Sequence, residues 1–179
     1  MKGKGVPKSI RPYVEASLLV AVALVISTFT LYRAPMGGAV TLGSTLPICI
    51  VSFRSGTRIG ILAGLNFGIL TFLTSGLMIG IGPFILDYLA ANAALGLFGW
   101  LRKFPILAIC LAQTFRLLCH VASGVLYFSQ GLSILDALDY SLRYNLTFLV
   151  PDVLIGIAVF YKIISGSANI LGTKTSDAI

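Results

Sequence analysis

Charge is scarce in this chain. Only 11% of its 179 residues are Asp, Glu, Lys or Arg, whereas a soluble domain carries about 25%. Six residues are acidic, one is histidine and one is tryptophan. With 57% hydrophobic residues and a mean hydropathy of +0.97, the apolar surface exceeds what a 19 kDa globule can bury, so lipid is the solvent that accepts it. Three cysteines, Cys49, Cys110 and Cys119, all sit in apolar stretches without metal-ligand spacing, which argues against a disulfide frame or a zinc site. The chain has no GxxxxGK loop for nucleotide phosphates, no GxSxG and no HExxH, and Asp87 has no acidic neighbour in its span. A membrane enzyme is therefore poorly supported, and no cofactor or metal is implied. The two halves show no internal similarity, which speaks against a transporter built from inverted repeats.

What is present is a series of long apolar runs undivided by any Pro/Ser-rich linker. This predicts one transmembrane domain over residues 1–179, with tails at about 1–11 and 166–179. Lys2, Lys4, Lys8 and Arg11 precede the first run, as in a secretory signal. That run, Val14 to Tyr32, exceeds the roughly 7–15 residues of a signal core and reads as a helix that stays. Pro35, Gly37, Gly38 and Gly43 predict a loop, followed by a short helix from about Ser44 to Phe53. A third helix runs from about Thr57 to Ser75. After Gly76, Gly80, Gly82 and Pro83 a fourth reaches Leu101, a fifth spans Phe104 to Phe128, and a polar loop covers Ser129 to Asp139. A sixth helix runs from about Tyr144 to Ile164.

The expected fold is thus an all-α integral membrane protein, a compact bundle of six transmembrane helices. Under that count Lys2, Lys4, Lys8, Arg11, Arg54, Arg58, Arg102, Lys103, Lys162 and Lys174 share one side, against Arg33 and Arg143 on the other. Positive residues mark cytoplasmic loops, so both termini are predicted cytoplasmic in a multi-pass protein of a bacterial or archaeal cell membrane. The net charge of +7 is explained by that topology. Nucleic acid is not an expected partner, because no basic run is interleaved with aromatics on a polar segment.

Ionisable residues at membrane depth usually face a bundle interior or an aqueous cavity. Here they are Asp87, Arg116 and His120. Arg116, His120, Gly124 and Phe128 recur every fourth residue, a single face of the fifth helix, with Gln113 below them. Tyr140, Ser141, Tyr144 and Asn145 lie near the outer end of the sixth helix, and Asp87, Tyr88 and Asn92 on the fourth. Their convergence predicts a polar, aromatic-walled pocket open to the outside. Plainer readings stand beside it: an Asp87–Arg116 structural pair, interfacial tyrosines, Asn145 as a helix cap, and Asp152 complementing the dipole of the sixth helix. Ser17 and Ala21, four apart on the first helix, leave a smooth face where a partner helix can approach.

The stretch from Arg33 to Pro47, with Gly37-Gly38-Ala39-Val40-Thr41-Leu42-Gly43-Ser44, resembles the first loop and second helix of the thiamine-specific substrate-binding (S) subunits of energy-coupling factor (ECF) transporters. Arg54-x-Gly56, Leu86-Asp87-Tyr88, His120-Val-Ala-Ser-Gly124 and Tyr140-Ser-x-x-Tyr144-Asn145 extend the similarity across about residues 12–165. The resemblance implies a six-helix subunit that binds thiamine near the outer surface and itself hydrolyses no ATP. It implies as partners a transmembrane coupling subunit and two cytosolic ATPases. It also implies that Asp87 faces the thiamine cation and that His120, Tyr140 and Asn145 contact ligand. Arg116 falls on a basic position, Phe128 on a stacking position, and Ser17 and Ala21 near the docking motif for the coupling subunit. Trp100 is predicted at the opposite end, so the stacking rings come from Phe128, Tyr88, Tyr127 or Tyr144. Two other readings remain open: an S subunit for another small vitamin or pyrimidine-type precursor, and a membrane protein with a structural role.

Overall fold

A computed structural model describes residues 9–75 and 80–166. The basic residues Lys2, Lys4, Lys8 and Lys174, the predicted turn at Gly76 and nearly all of the two tails lie outside the described residues.

Among the described residues six helices form the fold: α1 (Arg11–Thr28), α2 (Leu46–Ser55), α3 (Thr57–Ser75), α4 (Ile81–Leu101), α5 (Pro105–Phe128) and α6 (Ile134–Gly166). Pro12, Pro47 and Pro105 open α1, α2 and α5, where their fixed φ suits the first turn and their missing N–H costs nothing. All but α2 are long and apolar enough to cross a bilayer. With ten residues α2 is about 15 Å long, half of a hydrocarbon core of roughly 30 Å.

Two predicted boundaries move. The first helix stops at Thr28 rather than Tyr32, because the Ser27 and Thr28 hydroxyls donate back to Leu24 O and Val25 O at 2.7 Å each and close its last turn. The chain then forms a strand, β1 (Thr30–Arg33), which pairs antiparallel with β2 (Ala39–Thr41). The loop expected there is thus a small hairpin, and the bundle is not purely helical. Met36 (φ 65°) and Gly37 (φ 101°) turn it in the left-handed region. The last helix starts ten residues early, at Ile134, with Ser133 and Asp136 exchanging hydrogen bonds at its entry. The predicted polar loop therefore shrinks to a few residues, and α6, with 33 residues, is about 50 Å long. Pro151 lies inside α6 without ending it.

One end of the bundle is solid and the other hollow. The main core gathers Ala16, Val20 and Ala23 of α1, Ile48, Cys49 and Val51 of α2, Leu95 and Phe98 of α4, Ala108 and Ile109 of α5, and Phe160 of α6. These come from the start of α1 and α5 and the end of α4 and α6, so they share one end, wrapped around α2. Its short backbone is tolerated at membrane depth because protein rather than lipid surrounds it. A smaller cluster, Ala34, Val40, Phe148 and Leu149, seats the hairpin on α6 at the other end.

Close approach of α3 to α4 sets the spacing of the hollow end. A methyl on Gly64 would come within 2.1 Å of Asn92 O, and one on Gly68 within 2.1 Å of Tyr88 O. Backbone atoms cannot swing aside, so both positions need glycine. Gly68→Ala is expected to lower stability by about 1–3 kcal/mol. Gly156→Ala, where nothing lies within 4 Å of the added carbon, is expected to be neutral or mildly stabilising. Thermal unfolding in detergent compares the two, and equal effects would contradict the packing argument.

Candidate ligand-binding site

The hollow end encloses a cavity of about 430 Å³, bounded by α1, α3, α4, α5, α6 and the hairpin. All eight residues singled out from the sequence, Asp87, Tyr88, Arg116, His120, Gly124, Phe128, Tyr140 and Asn145, line it. Two of the walls contain a π-helical segment, Phe84–Ala90 in α4 and Gly124–Phe128 in α5. Such a widened turn re-aims side chains and is common at functional sites. The first carries Asp87 and Tyr88, the second Gly124 and Phe128.

Asp87 is not the partner of Arg116. Its carboxylate takes His120 Nδ1 at 2.7 Å and the Ser123 hydroxyl at 2.5 Å, joining α4 to α5. Because the carboxylate only accepts, Nδ1 carries the proton, and the Nε2 of a neutral imidazole is left as an acceptor. That atom is buried without a hydrogen-bond partner among the described residues. The ring also meets Phe148 edge-on at 6.0 Å.

Arg116 pairs instead with Asp152 of α6, at 3.7 Å. Asp152 is 3% exposed and accepts from Thr41 N at 3.0 Å and Thr41 Oγ1 at 2.8 Å. The sequence reading of Asp152 as a dipole complement at the opening of a helix is thus corrected, since it sits mid-helix and borders the cavity. Arg116 Nε and Nη1 are buried with no hydrogen bond among the described residues, so this charge has donors to spare. One helical turn separates Arg116 from His120. The cavity therefore has a carboxylate–imidazole pole and, deeper, a guanidinium–carboxylate pole.

Asn145 likewise cannot cap α6. It lies within the helix, 4% exposed, donating to Ser141 O at 2.8 Å. At Gly124 the Ser141 hydroxyl would lie 2.0 Å from an added Cβ, so this glycine lets α6 close onto α5. Tyr144 latches the hairpin: its hydroxyl donates to Pro35 O and accepts from Gly38 N at 3.2 Å. Tyr88, Phe128, Tyr140 and Tyr144 supply rings to the cavity, and so does Phe148, which the sequence reading missed. Tyr127 is not among the lining residues and packs on Gly82. Phe148 falls one turn after Tyr144, a spacing that marks it. Thr41, Ser44 and Asn92 also line the cavity.

Ser17 and Ala21 are exposed on the outer face of α1, beside Leu18, Val22 and Val25, and the Ser17 hydroxyl is satisfied by Tyr13 O at 3.0 Å. Among the described residues no group of His, Cys, Asp and Glu is placed to hold a metal ion.

An apolar bundle with, among the described residues, five membrane-length helices around a polar, ring-walled cavity defines a multi-pass membrane protein that binds a small solute. Residues 13–171 match the model of the family described as thiamine transporter protein (Thia_YuaJ), and the chain belongs to that family. It is 28% identical over 169 residues to thiamine transporter ThiT of Bacillus subtilis strain 168, covering 83% of this chain and 87% of that protein. The solved structure of ThiT from Listeria monocytogenes superposes with a TM-score of 0.81 at 20% identity, covering 92% of this chain and 99% of that one, which establishes the shared fold. The chain is accordingly a multi-pass protein of the bacterial cell membrane in a thiamine transport family.

The Arg116–Asp152 pair makes a prediction independent of ligand. Arg116→Met and Asp152→Asn each leave one buried charge unanswered and are expected to cost about 3 kcal/mol. The double variant should lose clearly less than the sum, as a thermal-melt cycle would read; strict additivity would mean that the pair is not coupled.

Proposed function

We propose that this chain is the high-affinity thiamine-binding S component of an ECF-type uptake transporter, with its cavity facing the outside. The observation that carries the reading is the Asp87–His120–Ser123 cluster set in a cavity walled by aromatic rings. Thiamine offers a fixed cation and two flat rings. A buried carboxylate and ring faces suit the cation, while imidazole and amide groups read the aminopyrimidine. Family membership and the resemblance to the B. subtilis relative, itself named a thiamine transporter, support the same ligand.

In this reading the chain passes the membrane six times, the second pass combining the hairpin with α2. Arg11, Arg54, Arg58, Arg102, Lys103 and Lys162 gather at the solid end and Arg33 and Arg143 at the hollow end, which supports cytoplasmic termini and an outward cavity. ATP is hydrolysed elsewhere, on two cytosolic ATPases joined through a transmembrane coupling subunit that docks on the Ser17–Ala21 face of α1. A second reading, an S component for a pyrimidine-type precursor without the thiazolium, draws on one observation: the Asp87 carboxylate is already occupied by two donors and can act through His120 alone.

Calorimetry of thiamine binding to the purified protein in detergent tests the ligand. One-to-one binding is expected, weakened by at least about thirtyfold in Asp87→Asn. Failure of thiamine with a folded protein, together with binding of a free aminopyrimidine, would transfer the assignment to the second reading. For the partner, Ala21→Trp is expected to leave thiamine binding intact while abolishing ATP-dependent uptake in cells that supply the coupling and ATPase subunits. Undiminished uptake would remove this face from the interface.

A further inference from the structure

Asn92 is absent from the set of residues to which the sequence assigned ligand contact, yet it is a buried polar side chain of the cavity wall. It lies on α4 one turn beyond Tyr88 and is 4% exposed. Its Nδ2 donates to Tyr88 O at 2.7 Å. That carbonyl belongs to the π-helical segment, and Gly68 of α3 packs against it so closely that an added Cβ would lie 2.1 Å from the oxygen. The Asn92 carbonyl is in turn covered by Gly64.

This arrangement fixes which way the amide points. A carbonyl can only accept, so turning the amide over would set oxygen against oxygen in a buried site. Nδ2 must therefore face Tyr88, and Oδ1 is the end left over. Oδ1 is buried and has no hydrogen-bond partner among the described residues, in a side chain that lines the cavity. A buried acceptor of this kind is costly to leave unmade and selects strongly for a molecule that supplies a donor.

We propose that Asn92 is a specificity-determining residue of the cavity, its Oδ1 accepting a hydrogen bond from an N–H of the ligand. The proposal rests on the thiamine reading above, and in thiamine the exocyclic amine of the pyrimidine is the only N–H donor. A ligand carrying a ring carbonyl in place of that amine would bring a second acceptor against Oδ1 and be rejected.

The test compares thiamine with its oxo analogue, in which the amine is replaced by a carbonyl, on the full-length protein in detergent. The readout is the ratio of the two dissociation constants. Asn92→Leu and Asn92→Ala are expected to reduce that ratio by about tenfold or more, while Asn92→Asp, as the buried protonated acid donating its O–H to Tyr88 O and keeping its carbonyl oxygen as acceptor, is expected to retain the preference for the amine. Thermal melts establish that each variant is folded, and Ala covers the case in which Leu does not fit. A purely structural Asn92 would weaken both ligands together and leave the ratio unchanged, which would overturn the proposal. If the unsubstituted protein binds neither ligand, the thiamine reading fails and this assignment falls with it; if it binds thiamine and the ratio is insensitive to position 92, only this assignment fails.

Discussion

A carboxylate taken into the interior of a membrane bundle has to be answered from several directions at once, and Asp152 shows how this fold does it. It draws the backbone and hydroxyl of Thr41 from the hairpin and the guanidinium of Arg116 from α5. One residue of α6 thereby ties three separate segments together at the level where the solid end gives way to the cavity. Remove its charge and the hairpin loses an anchor while Arg116 loses its counter-ion. The floor of the cavity depends on this junction.

Above the floor, the walls follow from backbone contact rather than from side-chain bulk. Glycines on α3 let it lie directly against the carbonyls of α4, and Gly124 of α5 makes room for the Ser141 side chain of α6. With the helices so close, space for a ligand comes from the two π-helical segments and from the shortness of α2, whose missing half-span is taken up by the hairpin. Tyr144 then holds that hairpin through its turn at Pro35 and Gly38. Polar atoms with no hydrogen-bond partner among the described residues, His120 Nε2, Asn92 Oδ1 and Arg116 Nε among them, belong to side chains that line this cavity.

Most of the helices were legible from length and hydropathy, because lipid imposes both. The four-residue spacing of Arg116, His120, Gly124 and Phe128 likewise gave one wall of the cavity directly. The hairpin was hidden: Pro35, Gly37 and Gly38 read as generic breakers, and strands of four and three residues leave too short an alternation to register. The early start of α6 was signalled by Ser133 with Asp136 three residues on, a capping pattern that the surrounding polarity masked. Partner choice among ions was not legible at all. Asp87, Asp152, Arg116 and His120 permit several pairings by sequence, and only the rotation of each helix decides which carboxylate meets which cation.

The division into a solid half and a hollow half also shapes the electric field inside the membrane. A transmembrane potential falls mainly across low-dielectric material, so with the cavity facing outward as proposed it would concentrate over the base built around α2 rather than over a cavity sharing the electrolyte outside. A cation held beside Asp87 in that orientation would have crossed little of the voltage. Its arrival would be nearly insensitive to membrane potential, and the electrical work of uptake would be deferred to the passage through the packed base.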